Sequence, residues 1–103
     1  MKILTPTQCS SIEDVRASID TIDHEIIKLF GLRQKYVNEI VKFKSDPESV
    51  VALDRQKVVI DQISAWAKDN GLSEELFRTI YQALINKNVA HELELMQKHL
   101  QKM

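Results

Sequence analysis

Apolar residues recur at alternating intervals of three and four positions along the first part of the chain. The series is Ile12, Val15, Ile19, Ile22, Ile26 and Leu29, continued by Arg33, Tyr36, Ile40 and Phe43. A repeat that averages about 3.5 residues is typical of a long helix that packs against other helices as in a coiled coil. We therefore predict a helix from about Ser11 to Lys44, roughly 50 Å long at ~1.5 Å per residue.

Two further helices follow a break in this pattern. The segment Ser45–Ser49 contains Asp and Pro and predicts a loop. A second helix is predicted from about Val51 to Asn70, and it stops there because Gly71 suits the left-handed position after a helix. Ser73 is the predicted N-cap of the third helix. On the second helix, the residues expected to face inward are Val59, Ile63 and Trp66.

Composition favours one all-α domain over residues 1–103. The chain has 2 Gly and 2 Pro in 103 residues, too few for the tight turns of a sandwich or barrel. Its net charge is −1, so no bulk field would hold it on nucleic acid or an anionic membrane. It has neither an apolar run of about 18 residues, as a membrane span requires, nor the apolar region of a secretory signal peptide near its start. We expect a soluble, cytoplasmic protein.

Polar residues occupy positions of these helices where apolar ones are expected. They are Arg33 and Lys44 on the first helix, and Asn88 and Glu92, four apart, on the third. Long charged side chains often extend from the rim of a bundle into water, which is one interpretation of each of them. Four such groups on inward faces favour a second interpretation, a bound anion that offsets the cost of buried cations.

Arg16 fits such an anion site only if two chains form it. It lies 17 residues before Arg33, which is roughly 25 Å along the helix and ~100° around it. The two cannot reach one small ligand within a single chain, so a site that includes Arg16 takes it from a second subunit. A ~50 Å amphipathic helix also exceeds what a monomer of this size can cover. We therefore expect a homodimer.

The order of these residues resembles the all-α chorismate mutase family. The resemblance extends over about residues 5–100 and rests on Asp14-Val15-Arg16, Asp20, Asp23, Arg33, Lys44, Asp54-Arg55 and a late polar residue on the third helix. Four stretches resemble the isochorismate-pyruvate lyase subgroup of salicylate and siderophore biosynthesis. They are Thr5-Pro6-x-x-Cys9, Gly31-x-Arg33-x-x-Tyr36-Val37, Phe43-Lys44 and Trp66-Ala67-x-x-Asn70-Gly71-Leu72.

The resemblance implies an intertwined homodimer of three helices per chain with two shared active sites. Arg33 and the partner subunit's Arg16 would clamp the two carboxylates of a dianionic substrate, chorismate or isochorismate. Lys44 would contact the ether oxygen of this substrate, and Arg55 would lie at the edge of the site.

The opposite wall would be lined by Asn88 and by Glu92, which would make the second contact to the ether oxygen. Two positions depart from the family. Mutases commonly carry Glu after the Asp-Arg pair to bind the ring hydroxyl, whereas this chain has Gln56. Most bacterial relatives carry Gln at the ether-oxygen contact, whereas this chain has Glu92, and a carboxyl donates a hydrogen bond only when protonated.

Both reactions of the family are pericyclic and unimolecular, so the resemblance implies no metal and no cofactor. The leading hypothesis is an isochorismate-pyruvate lyase with secondary chorismate mutase activity. A chorismate mutase proper, acting on chorismate or an amino analogue, is the second hypothesis. The third is a non-catalytic helical dimer that binds a small dianion.

Overall fold

The computed structural model describes residues 3–101, with the side chains of residues 3–98, and every regular element among them is helical. The helices are α1 (Ile12–Ile40), α2 (Pro47–Val51), α3 (Leu53–Asp69) and α4 (Glu74–Gln101), with 3-10 turns at Pro6–Gln8 and Val41–Phe43. The predicted all-α class with three long helices is confirmed. In this part of the chain, no helix combines the length and the apolar character that a membrane span requires.

The first helix begins where the sequence predicted and ends slightly earlier. The hydroxyl of Ser11 accepts a hydrogen bond from the N–H of Asp14 (3.1 Å), which caps the first turn. After Ile40 the backbone tightens into the 3-10 turn, which closes when the N–H of Lys44 donates to the carbonyl of Val41 (3.1 Å). Lys44 itself is extended and therefore leaves the helix axis.

The predicted loop before the second helix is largely a short helix, so that prediction is wrong over Pro47–Ser49. The carboxylate of Asp46 accepts from the N–H of Ser49 (2.8 Å), and Pro47 occupies the first turn, where its missing N–H costs nothing. Ala52 then adopts a left-handed conformation (φ 44°, ψ 60°), which ends α2. The long helix α3 consequently starts at Leu53 rather than Val51.

The boundary between α3 and α4 follows the sequence signals. Gly71 has φ +71°, the left-handed conformation that glycine adopts without steric cost. The N–H of Leu72 donates to the carbonyl of Ala67 (2.8 Å) and that of Gly71 to Lys68 (3.1 Å), a Schellman pair. The hydroxyl of Ser73 accepts from the N–H of Leu76 (3.1 Å) and caps α4, as predicted.

The hydrophobic core lies where α2 and α3 pack against α4. Trp66, predicted to face inward, is 54% exposed, so that prediction is wrong. Val59 and Ile63, the other two residues predicted to face inward, are half-buried, and the fully buried positions of α3 lie one residue further along the helix. Its buried residues are Ile60, Ser64 and Ala67, and they meet a core that includes Val50, Ile85 and Met96.

The described residues form two compact units, which divide between Tyr36 and Val37. The first unit contains most of α1, a helix that buries none of its own side chains within the chain. The second unit contains α2, α3 and α4 together with the core. A single domain over residues 1–103 stays a prediction.

Candidate active site

Two polar side chains are buried on α4. Asn88 and Glu92 are each 5% exposed, and they lie four residues apart, so one stands about a turn above the other on the same face. Ile85 and Met96, on either side of them along that face, are buried apolar residues. A polar pair therefore interrupts an apolar stripe, at the positions where the sequence indicated candidate chemistry.

Lys44 and Glu92 form a buried ion pair between the end of the 3-10 turn and α4. The ammonium Nζ of Lys44 lies 3.4 Å from Oε1 of Glu92. Their side chains are only 17% and 7% exposed. Burial of two charges is tolerated because each offsets the other, and removal of either one would leave an uncompensated charge in the core.

Asn88 carries a buried donor that the protein does not satisfy. Its amide Nδ2 is inaccessible to solvent and has no hydrogen-bond partner among the described residues. A buried amide donor without a partner costs about 1–3 kcal/mol. Such a cost is typical of sites where the partner is supplied by a ligand.

The segment between Lys44 and α3 is fixed by its own capping and by one core contact. Val50 of α2 is 2% exposed and anchors the segment in the core. At the N-terminus of α2, the hydrogen bond from the backbone N–H of Ser49 holds the pKa of Asp46 below its ordinary value of 3.8. Lys44 is therefore followed by a segment with defined structure rather than by a free loop.

Arg55 lines an exposed cleft. This cleft of about 810 Å³ is lined by residues 47–48 and 51–55, with Arg55 in the first turn of α3. Neither Lys44 nor Glu92 belongs to its lining. A place for Arg55 at the edge of a substrate site stays a prediction.

Gln56 makes two contacts to the protein. Its amide Nε2 donates to the backbone carbonyl of Val51 (2.7 Å), and its Oε1 accepts from Nε2 of Gln82 on α4 (3.3 Å). The sequence indicated Gln56 as a contact to the ring hydroxyl, and it gave no sign of these two partners. Gln82 was missed altogether, because nothing local distinguishes it from an exposed helical glutamine.

The two remaining predicted residues are on α1. Arg16 lies in the first turns of this helix and is exposed, whereas Arg33 lies further along the helix and is half-buried. Both belong to the first compact unit, whereas Lys44, Arg55, Gln56, Asn88 and Glu92 belong to the second. Lys44 and Glu92, two of the seven predicted residues, are in direct contact.

A second polar cluster joins α3 to α4 and was also missed. The hydroxyl of buried Ser64 contacts Oε1 of Glu74 (3.2 Å) and accepts from Nε of Arg78 (3.0 Å). Arg78 also contacts Asp61 (3.2 Å), whose pKa is lowered chiefly by its hydrogen bond to Lys57. In the sequence, the feature that could have indicated this cluster was a serine on the buried face of α3.

Among the residues that the structure describes, no three His, Cys, Asp or Glu side chains converge as metal ligands would.

Chemically, the buried groups suit charge stabilisation on oxygen. An ammonium and an unsatisfied amide are both donors, and the carboxyl of Glu92 becomes a third donor when it is protonated. Donors that are fixed in a low-dielectric environment before the reaction stabilise negative charge more strongly than water does. This arrangement can bind an oxyanion or an ether oxygen on which charge develops.

Comparisons with known proteins identify the family and several relatives of this chain. A family model described as chorismate mutase type II matches residues 15–93. The isochorismate pyruvate lyase of Pseudomonas aeruginosa is 28% identical over 90 residues, which is 87% of this chain and 89% of that protein. The chorismate mutase of Methanocaldococcus jannaschii is 27% identical over 94 residues, covering 84% of this chain and 89% of that protein. The T-protein of Haemophilus influenzae is 25% identical over 83 residues, 80% of this chain and 22% of the relative.

Proposed function

This chain belongs to the chorismate mutase type II family of enzymes, and we propose that it converts isochorismate to salicylate and pyruvate, with secondary chorismate mutase activity. The observation that carries the proposal is the buried ion pair of Lys44 and Glu92, one turn from the unsatisfied amide of Asn88. The similarity to the lyase of Pseudomonas aeruginosa, which extends over most of both chains, supports the choice of substrate.

In the proposed reaction the substrate rearranges within itself. The hydrogen on the ring carbon that bears the hydroxyl moves to the methylene carbon of the enolpyruvyl group, and the ether C–O bond breaks. The ring becomes aromatic as salicylate, and the arm leaves as pyruvate, so no water, acid or base is consumed. Negative charge grows on the ether oxygen during bond breaking.

Lys44 is the donor that this charge requires. In the proposed complex, its ammonium donates to the ether oxygen, and a fixed donor of this kind typically contributes ~3–4 kcal/mol. Glu92 makes the second contact to the same oxygen as a protonated carboxyl, so its ion pair with Lys44 belongs to the substrate-free protein and is given up in the proposed complex. Nδ2 of Asn88 then gains an acceptor from a substrate carboxylate, which satisfies the buried donor.

The arginines account for substrate orientation. We assign the two carboxylates of the dianion to Arg33 and to the partner subunit's Arg16, with Arg55 at the edge of the site. Holding a flexible arm over the ring in one conformation can lower a barrier by up to ~7–11 kcal/mol. Orientation and charge stabilisation together suffice for a unimolecular reaction.

The proposal includes a homodimer. Its support is the apolar face of α1, which is exposed in the single chain at Ile12, Val15, Ile19, Ile26, Leu29 and Tyr36. An exposed apolar face of this length is typical of an interface. Sedimentation of the pure protein at micromolar concentration should give twice the mass of one chain, and a folded monomer would contradict the shared site.

The function is tested by incubating pure protein separately with isochorismate and chorismate. Salicylate and pyruvate should form in equal amounts from isochorismate, and prephenate should form more slowly from chorismate. The reverse preference would favour a chorismate mutase, and no turnover of either would favour a non-catalytic protein that binds a dianion. Lys44→Ala should lower turnover about 10²–10³-fold, whereas near-normal turnover would show that the site lies elsewhere.

A further inference from the structure

The junction between α2 and α3 is held by a side chain from the following helix. Ala52 is both the C-cap of α2 and the N-cap of α3. Its φ of 44° is unusual for a residue that carries a Cβ. Its methyl side chain cannot cap either helix. Nε2 of Gln56 reaches back five residues and donates to the carbonyl of Val51 (2.7 Å), directly before the bend.

The same amide also connects the junction to α4. Because the carbonyl of Val51 can only accept, the amide of Gln56 must turn its NH₂ toward it, which leaves Oε1 as the acceptor for Gln82. Gln82 in turn donates to Oδ1 of Asn86 (2.9 Å). The side-chain amide of Gln56 therefore forms one hydrogen bond to α2 and another to α4.

We infer that Gln56 is a positioning residue, which fixes the bend at Ala52 and thereby the placement of Lys44 relative to Arg55. The inference rests on the proposed function, in which both cations serve one substrate. Lys44 precedes α2 and Arg55 opens α3, so the angle at Ala52 determines how far apart they lie. The side-chain amide of Gln56 is bonded to Val51 and Gln82 rather than to either cation, so it acts through the backbone.

An amide is required for this role, and a carboxylate of the same shape does not replace it. An ionised Glu at position 56 would have no hydrogen to donate and would face the carbonyl of Val51 at hydrogen-bond distance. Nε2 of Gln82 could still donate to one carboxylate oxygen, but the carbonyl of Val51 would lose its donor and face a second acceptor. Protonation would restore an O–H donor, so the defect should be relieved at low pH.

The test compares Gln56→Glu and Gln56→Met with Gln62→Glu, a matched control that adds the same charge at an exposed position of α3. Hydrogen–deuterium exchange of the peptide spanning residues 50–56 and thermal unfolding are measured at pH 7 and pH 4.5 without substrate. Salicylate and prephenate formation then give kcat and KM for each variant.

We expect Gln56→Glu to lower Tm by about 5 °C or more at pH 7, and to increase exchange in residues 50–56 at least several-fold. Both effects should shrink at pH 4.5, while Gln56→Met should be affected equally at both pH values and Gln62→Glu should match the parent. In both Gln56 variants kcat should fall more than KM rises. Unchanged exchange and Tm in Gln56→Glu, combined with a change in KM alone, would overturn the inference and make Gln56 a substrate contact. Absence of turnover by the parent would contradict the proposed function only, since exchange needs no substrate.

Discussion

The ion pair of Lys44 and Glu92 leads to a stability prediction that does not depend on any substrate. Lys44→Met keeps an unbranched side chain of similar length and removes only the ammonium. The carboxyl of Glu92, whose side chain is 7% exposed, is then left in the core without its cation. The double variant Lys44→Met/Glu92→Gln removes both charges and so avoids this penalty.

The magnitude follows from the burial of the stranded carboxyl. Removal of one partner of a buried ion pair costs about 3–5 kcal/mol, because the other charge is left without compensation. The side chain of Lys44 is 17% exposed, so the lower end of this range applies. We therefore expect Lys44→Met to lose about 3 kcal/mol at pH 7, which is more than about 10 °C in Tm.

Urea unfolding at fixed protein concentration and pH 7 measures this loss. Lys42→Met is the matched control, because Lys42 pairs with Glu39 at 2.8 Å but both side chains are more than half exposed (68% and 57%). Such a pair contributes at most about 1 kcal/mol. The double variant should recover more than half of the loss in Lys44→Met. A loss in Lys44→Met that equals that of Lys42→Met would refute the buried pair.

Three further predictions address the site and its surroundings. Glu92→Gln should sustain turnover, because an amide also donates a hydrogen bond to the ether oxygen; a folded but inactive Glu92→Gln would contradict this role of position 92. Mixed dimers of Arg16→Ala and Lys44→Ala chains should regain about one intact site, and refolded heterodimers without activity would count against a shared site. Because the pKa of Asp46 is below 3.8 in the folded chain, its stabilisation is complete above pH 3.8 and is lost as pH falls further; Asp46→Asn should weaken this acid sensitivity of α2, measured by hydrogen exchange.

The helical architecture could be read from the sequence because its signals are local. Heptad spacing predicted α1. The hydroxyls of Ser11 and Ser73 accept capping hydrogen bonds, and Gly71 adopts the positive φ that glycine favours after a helix. Local chemistry also misled in one place. Asp46 and Pro47 predict a loop, whereas in the structure they form the N-cap and first turn of α2.

The candidate site was predictable only where a polar residue stood on an apolar face. Glu92 and Asn88 satisfy that criterion on α4. Lys44 was found by continuing the spacing of α1, although this helix ends at Ile40 and Lys44 is extended beyond it. The contacts of Gln56 could not be predicted, because they depend on a left-handed Ala52 and on Gln82, which is 26 residues away in sequence. The orientation of α3 was wrong by one residue because its apolar positions are compatible with more than one buried face.

The fate of a single hydrogen tests the central claim, that this chain promotes an intramolecular rearrangement, most directly. Isochorismate labelled with deuterium on the ring carbon that bears the hydroxyl is converted by the protein in ordinary water, and the pyruvate formed is analysed by mass spectrometry. The account predicts that the deuterium is found in the methyl group of pyruvate, because the hydrogen moves directly from ring to arm. Unlabelled pyruvate, with the deuterium lost to water, would show that an acid and a base carry the hydrogen and would contradict the account.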